Sequence, residues 1–257
     1  FYDDHPGYGS IMPLGTDPLT DGELKFILHW ILEGAPEHGI VARVSDLADT
    51  QRYSPPPFKA LDKPKNGIQL HVEPFDVPSN FEREFFMYKN LNNRTPIYVN
   101  RVQIEMRPGS HHFIGYLLDA SRPLFSLAKR LFVPNRIRDL HLPNGDDDPL
   151  VLASMNYHNF FAGTQTPRFD YEFPKGVALR LPANTGLDLN THYVNRGEEA
   201  FEGEVYMNLH TIEKADVEHE AKIINFNNTD IELPPNKITT LTRDFRAAEK
   251  MNIFQLF

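Results

Sequence analysis

The stretch RVQIEMRPGSHHFIGYLLD, residues 101–119, alternates between apolar and polar side chains, breaks, and continues as an apolar run. The alternation over 102–106 predicts a strand with one buried face, and the apolar run 113–118 predicts a second strand. Between them, Pro108 lacks a backbone donor and Gly109 permits a bulged backbone, so the first ladder ends there. The stretch therefore predicts two β-strands separated by a backbone irregularity.

Two adjacent histidines, His111 and His112, stand at the start of the second strand. Neighbouring side chains of a regular strand point to opposite faces, so both rings can serve one metal ion only where the backbone is irregular. A bulge or a strand start after the Pro-Gly break supplies that irregularity. Imidazole binds copper, zinc, iron or nickel, so the pair predicts half of a metal site. The alternative is one buried, hydrogen-bonded histidine beside one solvated histidine.

The composition excludes several classes of partner. The 257-residue chain carries a net charge of −9 and has no cysteine. The acidic balance and the absence of a Lys/Arg cluster argue against nucleic acid or an anionic membrane surface as a partner. Without cysteine the chain has no disulfide, no thiolate metal site and no CxxCH haem attachment. No apolar run approaches the roughly 18–20 residues of a membrane helix, so we expect no transmembrane segment.

The clearest helix signal lies at residues 20–33, within an N-terminal segment that spans residues 1–36. Thr20 and Glu23 form a capping box, in which each side chain accepts a hydrogen bond from the other residue's backbone. Gly34 ends the helix, because glycine adopts the left-handed backbone of a C-terminal cap.

The rest of the chain divides into a linker and two β segments. Residues 37–66 are rich in turn residues and predict a long irregular linker. Residues 67–215 carry short strands bounded by turn signals, which predict a mainly β fold, an antiparallel, jelly-roll-like β-sandwich. Residues 216–257 predict the opening strands of a second, incomplete β-domain, at 223–226, 239–243 and 251–257. Within the sandwich we predict a loop-rich middle, 120–168, with one helical stretch at 124–131, and strands at 68–72, 82–88, 97–106, 113–118, 177–181, 187–194 and 205–212.

A further histidine lies on the alternating stretch LDLNTHYV, residues 187–194. His192 shares one face of this strand with Asp188 and Asn190. We expect a hairpin to pair it with the next strand, 205–212, which holds His192 on a stiff platform. His210 of that next strand is then the leading substitute ligand. Ordinary hydrogen-bonded histidines are expected at His71, His141 and His158.

Three segments carry a family resemblance: GSHHFIGYLL (109–118), FPKGVALRLPANTGLDLNTHYVN (173–195) and EGEVYMNLHTI (202–212). Together they resemble the N-terminal domain of copper type II, ascorbate-dependent monooxygenases, whose best-known members are the peptidylglycine α-hydroxylating and dopamine β-monooxygenases. The likeness covers roughly residues 67–215. It implies that His111, His112 and His192 bind one copper ion, the electron-transfer copper of that family. Three imidazoles without a thiolate suit an ion that alternates between Cu(I) and Cu(II).

Two features of the flanking segments bear on the same resemblance. The family's second copper, where oxygen is activated, is bound by an HxH motif and a distant Met, and this chain has no HxH motif. The segment SIMPLGTDPLTDGELKFILHWILEGAPE (10–37) resembles the last third of a c-type cytochrome domain. That second likeness implies that Met12 is an axial haem ligand only if a longer polypeptide completes a haem domain. Otherwise Met12 is an ordinary packing methionine.

The resemblance implies two alternative functions. In the first, the chain is part of a periplasmic haem–copper monooxygenase or its fragment and holds the electron-transfer copper. In the second, it is a non-catalytic structural or electron-transfer adaptor subunit, docked on a larger membrane-bound redox complex. Both imply a periplasmic or extracellular bacterial location, a redox partner, and a protein or flanking segment that covers incomplete domain edges. A sandwich module without metal is the third possibility, and it needs the three histidines to lie more than about 8 Å apart.

Overall fold

Two β-sheets packed face to face make up most of the computed structural model, which describes residues 19–39, 43–52, 58–226, 228, 231–247 and 250–255. The six-stranded sheet contains β1 (Gly67–Val77), β3 (Ile97–Met106), β7 (Arg168–Glu172), β8 (Val177–Leu181), β10 (Phe201–Ile212) and β11 (His219–Ala221). The five-stranded sheet contains β2 (Phe81–Asn90), β4 (Ser110–Leu118), β5 (Ile137–Asp139), β6 (His158–Thr164) and β9 (Gly186–Asn195).

The strand order places β9 at the centre of the five-stranded sheet. That order is β5-β2-β9-β4-β6, and the six-stranded sheet runs β1-β10-β3-β8-β11, with β7 also paired to β3. All neighbours are antiparallel except β8 and β11. The core lies between the sheets, where Leu187 and Leu189 of β9 pack with Met207 and Leu209 of β10, all of them buried. The predicted mainly β sandwich is confirmed.

The N-terminal helix α1 (Asp21–Leu32) begins and ends as the sequence predicts. Glu23 N donates to Thr20 Oγ1 at 3.1 Å, and Thr20 N donates to Glu23 Oε2 at 2.7 Å, which forms the capping box. Gly34 follows the helix with φ of 90°. The linker is less irregular than expected, because its 3-10 helix Val44–Ala48 packs against α1, where His29 Nδ1 lies 2.7 Å from Asp46 Oδ2.

The middle segment 120–168 contains more regular structure than its sequence predicts. Helix α2 (Phe125–Ala128) and the 3-10 helix Lys129–Leu131 confirm the expected helical stretch. The prediction is wrong in omitting β5, β6 and a third helix, α3 (Pro149–Met155). In β6 the β4–β6 register shifts at Phe161, and this irregularity breaks the alternation that identifies a strand in sequence.

The predicted hairpin between β9 and β10 is wrong, because the two strands belong to opposite sheets. β9 pairs with β2 and β4, whereas β10 pairs with β1 and β3. Asn195 holds the corner where the chain changes sheet, and its Nδ2 donates to Val77 O at 3.1 Å and to Glu199 O at 2.9 Å. A short connection therefore bridges the two sheets and does not close a hairpin.

The strands expected after the sandwich are not formed in the part of this tail that the structure describes. Residues 222–226, 228, 231–247 and 250–255 contain no strand. Apolar side chains such as Phe226 and Ile238 are exposed there, and none of the strands that the structure describes pairs with these residues. The assignment of residues 216–257 to a second domain stays a prediction.

Candidate metal centre

Three histidines converge on the outer face of the five-stranded sheet, at one end of its central strand. His192 of β9 lies directly opposite His112 of β4. The β4–β9 register shifts between Ser110 and His112, so His111 is the extra residue of a bulge. The bulge directs both neighbouring rings toward His192, which is the irregularity that the Pro-Gly break predicts.

The three rings meet through their Nδ1 atoms. His112 Nδ1 lies 3.2 Å from His111 Nδ1 and 3.4 Å from His192 Nδ1. One donor atom of each ring lies within 4.8 Å of the others, far inside the separation that a metal-free module requires. Two nitrogens bound to one ion at about 2.0–2.1 Å lie roughly 3.3–3.6 Å apart at tetrahedral to trigonal angles. The triangle of donors therefore needs little rearrangement to hold a metal ion.

The opposite nitrogens of two of these rings are held by hydrogen-bond acceptors. His192 Nε2 lies 2.8 Å from Glu82 Oε1, and His112 Nε2 lies 2.6 Å from Asn190 Oδ1. A carboxylate or an amide carbonyl only accepts, so each Nε2 carries a proton, and a ring with one proton keeps its lone pair on Nδ1. Two such lone pairs that face each other at 3.4 Å repel unless a metal ion or a further proton lies between them. The donor set and its outer contacts fit a bound metal ion.

The electrostatics of the site combine a neutral donor with a fixed negative charge. Burial lowers the pKa of His192, and the neighbouring carboxylates Glu84 and Glu82 oppose this effect only in part. Burial would raise the pKa of Glu84, but the nearby His112 ring, a hydrogen bond from Asn190 and the neighbouring His192 ring lower that pKa to about 2. At neutral pH His192 is therefore available as a ligand, and Glu84 is ionised beside it.

The site is graded in exposure from the core to solvent. His192 is buried, His112 is half-buried and His111 is exposed. The rigid ring on the central strand therefore forms the inner wall of the site, and the bulge residue forms its outer wall. An ion or a partner protein can approach from the side of His111.

His210, the expected substitute ligand, is wrong as an alternative. It lies on β10 and projects from the outer face of the other sheet, where its Nε2 lies 2.6 Å from Gln103 Oε1. Because β10 and β9 belong to opposite sheets, the core of the sandwich lies between His210 and His192. The alternation of the sequence correctly predicts which residues share a face of β10 with His210. The predicted hairpin, however, places β10 in the same sheet as β9, which is wrong.

The three histidines that were expected to be ordinary hydrogen-bonded residues, His71, His141 and His158, have partners of their own. His71 Nε2 lies 2.8 Å from Glu204 Oε1, and His141 Nδ1 lies 2.8 Å from Asp147 Oδ1. His158 is paired with a buried aspartate described below. Met12 lies outside the described residues, so its role as a haem ligand stays a prediction.

Sequence reasoning missed a buried charge cluster two residues along β9 from Asn190. The Asp188 carboxylate is fully buried; one oxygen accepts a hydrogen bond from Arg138 Nη2, and the other lies 2.8 Å from His158 Nε2. Arg138 Nη1 also donates to Ser154 Oγ at 3.0 Å, and the ring of Tyr116 stacks on His158 with centroids 4.6 Å apart. This cluster therefore anchors β9, the strand that also carries His192, to β5, β6 and α3.

Glu82 and Glu84 were also missed as parts of the site. Their signal was present, because they alternate on the predicted strand 82–88 and share a face. Only the pairing of β2 with β9, which sets Glu84 opposite His192, connects that face to the histidines. Pairing between distant strands is not written in the local pattern.

Comparison with known proteins gave no match, either among models of protein families or among curated sequences. Within the described residues, no helix has the length and apolar character needed to cross a membrane. The donor set of three imidazoles is compatible with copper, zinc, iron or nickel and does not by itself choose among them. What the fold presents is a β-sandwich with a three-histidine group that could hold a metal ion.

Proposed function

We propose that this chain holds one copper ion at His111, His112 and His192 and serves as the electron-transfer domain of a copper-monooxygenase-like protein. The observation that supports the proposal is the convergence of the three Nδ1 atoms, with the opposite nitrogens of two rings already held by Glu82 and Asn190. Such outer contacts fix ring orientation and raise the basicity of the ligating nitrogen.

Copper is favoured over the other metals by the resemblance, and the chemistry of the donors is compatible with it. Three imidazoles suit both Cu(I) and Cu(II), and the bound ion would supply a one-electron change between these states. The chain's own contribution is rigidity. His192 stands on a strand paired on both sides, and the buried Asp188 cluster fixes the same strand. A preorganised donor set changes little when the charge of its ion changes.

Two more specific functions are compatible with this copper site. In a haem–copper monooxygenase a copper held by the three histidines would supply electrons to a second copper, for which this chain has no HxH ligands. In an adaptor subunit the same site would hold a copper for electron exchange with a larger redox complex. Purification of the native protein from its source separates them. Haem and two coppers support the monooxygenase, whereas one copper without haem supports the adaptor. Both forms belong outside the cytoplasm, in the periplasm or beyond it.

A copper titration of the tag-free chain tests the site itself. We expect one copper ion per chain in the wild type and loss of that ion in His192→Ala, since this change removes the inner ligand. His210→Ala is the matched control, because it removes a histidine from the opposite sheet and leaves the donor triangle intact. Circular dichroism checks that each variant is folded. Stoichiometric copper in His192→Ala would refute the assignment.

A further inference from the structure

Glu84 lies in one row with two of the histidines. On the outer face of the five-stranded sheet, Glu84 of β2 is directly opposite His192 of β9, which is directly opposite His112 of β4. Its carboxylate Oε2 lies 3.8 Å from His192 Nδ1, and its Oε1 lies 3.7 Å from His112 Nε2. A carboxylate therefore stands beside one of the converging nitrogens, His192 Nδ1, and beside the outer nitrogen of His112.

The position of this carboxylate is fixed by the same network that orients the rings. Asn190 Nδ2 donates to Glu84 Oε1 at 3.0 Å, while Asn190 Oδ1 lies 2.6 Å from His112 Nε2. The Glu84 side chain is only 19% exposed. The Asn190 amide therefore contacts both the His112 ring and the Glu84 carboxylate, and it fixes the negative charge relative to the donor nitrogens.

Within the described residues, no lysine or arginine side chain forms an ion pair with Glu84. Among the ion pairs of the described residues, Glu84 contacts only the two site histidines, whereas Glu82 also lies 3.6 Å from Arg196 Nη2. Glu84 also stands outside the group of donor atoms that lie within 4.8 Å of one another. On this geometry Glu84 would act on a bound ion through its charge and not as a ligand.

We propose that Glu84 makes the three-histidine site prefer a divalent ion over a monovalent one, an inference that rests on the metal site proposed above. A fixed negative charge attracts a doubly charged ion twice as strongly as a singly charged one at the same place. At about 4 Å the attraction per unit charge corresponds to roughly fivefold in affinity in bulk water and roughly a thousandfold at an effective dielectric constant of 20. For copper, the same preference stabilises Cu(II) relative to Cu(I) and lowers the reduction potential.

Competition titrations with Zn²⁺ and Ag⁺ test this selectivity without any redox step. We expect Glu84→Gln to lower the ratio of Zn²⁺ affinity to Ag⁺ affinity at least tenfold, because Gln keeps the acceptor for Asn190 and removes the charge. With copper, a tenfold change in the ratio of Cu(II) to Cu(I) affinity appears as a rise of about 59 mV in the reduction potential.

Two further variants separate charge from geometry and from general effects. Glu84→Asp keeps the charge, so its ratio is expected to stay nearer to the wild type than that of Glu84→Gln. Glu73→Gln removes an equal charge from an exposed position on the other sheet, where Glu73 pairs with His71, and should leave the ratio unchanged within twofold.

The outcomes distinguish this inference from the proposed function beneath it. If the wild type binds Zn²⁺ and Ag⁺ and Glu84→Gln leaves their ratio unchanged, the role of Glu84 is overturned while the metal site stands. The same conclusion holds if Glu84→Asp changes the ratio as much as Glu84→Gln. If the wild type binds neither ion, the metal site is overturned and the inference falls with it.

Discussion

Replacing Asp188 by Asn tests how strongly the buried charge cluster stabilises the strand that carries the inner histidine. The Asp188 carboxylate has no exposed surface, and the Arg138 side chain is only 9% exposed. In Asp188→Asn the guanidinium loses its counter-charge but remains buried between the rings of Phe86 and Phe132. His158 loses a charged acceptor in the same step.

The expected loss in the free energy of unfolding follows from the burial of both Asp188 and Arg138. Removing one member of a buried ion pair costs about 3–5 kcal/mol, because the other charge is left without compensation. For a cooperative unit of this size, each kcal/mol lowers the melting temperature by about 2–4 °C, so we expect a loss of about 6–20 °C. Far-UV circular dichroism follows the melt, because the single tryptophan, Trp30, lies on α1 and does not report on the sandwich.

Asp139→Asn is the matched control on the neighbouring residue of β5. Asp139 pairs with Arg83 at 2.9 Å, but its side chain is 45% exposed. Exposed pairs contribute about 0–1 kcal/mol, so this variant should melt within a few degrees of the wild type. A loss in Asp188→Asn no larger than that of the control would refute the structural role given to the cluster. Copper stoichiometry should be unchanged in both variants.

Two other substitutions test a buried carboxylate of the six-stranded sheet and the glycine that precedes the bulge. Glu204→Gln should cost about 1–3 kcal/mol at pH 7, because the buried carboxylate accepts hydrogen bonds from Arg107 at 2.7 Å and His71 at 2.8 Å. Burial would raise the pKa of Glu204, but bonds from His71, Arg107 and the Tyr206 hydroxyl lower it. This stabilisation is therefore complete above the pKa of the unfolded state, about 4.3, and is lost as the pH falls through the lower pKa of the folded state. We expect urea titrations at pH 7 and pH 3 to show that the difference in stability between wild type and variant is smaller at pH 3. Gly109→Ala should lower stability by about 1–3 kcal/mol and weaken copper binding, because Gly109 has φ of 91° and an added Cβ would lie 2.4 Å from the Phe201 ring. Wild-type melting and copper affinity in this variant would show that the bulge does not depend on glycine.

Local patterns predicted the features of this protein that depend on neighbouring residues. The capping box located α1, and the Pro-Gly break located the bulge that brings His111 and His112 to one side. The period of two placed His192 on the outward face of its strand. Each of these features is decided within a few residues of chain, where backbone stereochemistry is the main constraint.

Features that depend on distant strands could not be predicted in this way. Alternation shows which side chains share a face, but it does not show which strands pair. The sheet change at Asn195 therefore went unnoticed, and His210 was assigned to the wrong side of the sandwich. For the same reason Glu84 was not connected to His192, although the two lie directly opposite each other in the sheet.

X-ray absorption spectroscopy of the copper-loaded, tag-free protein shows whether His111, His112 and His192 together bind one metal ion. We expect a shell of three imidazole nitrogens at about 2.0 Å from copper. In His192→Ala this shell should be lost along with the bound ion. A spectrum of the wild-type protein that contains only oxygen neighbours, without the outer-shell scattering of imidazole, would contradict the claim.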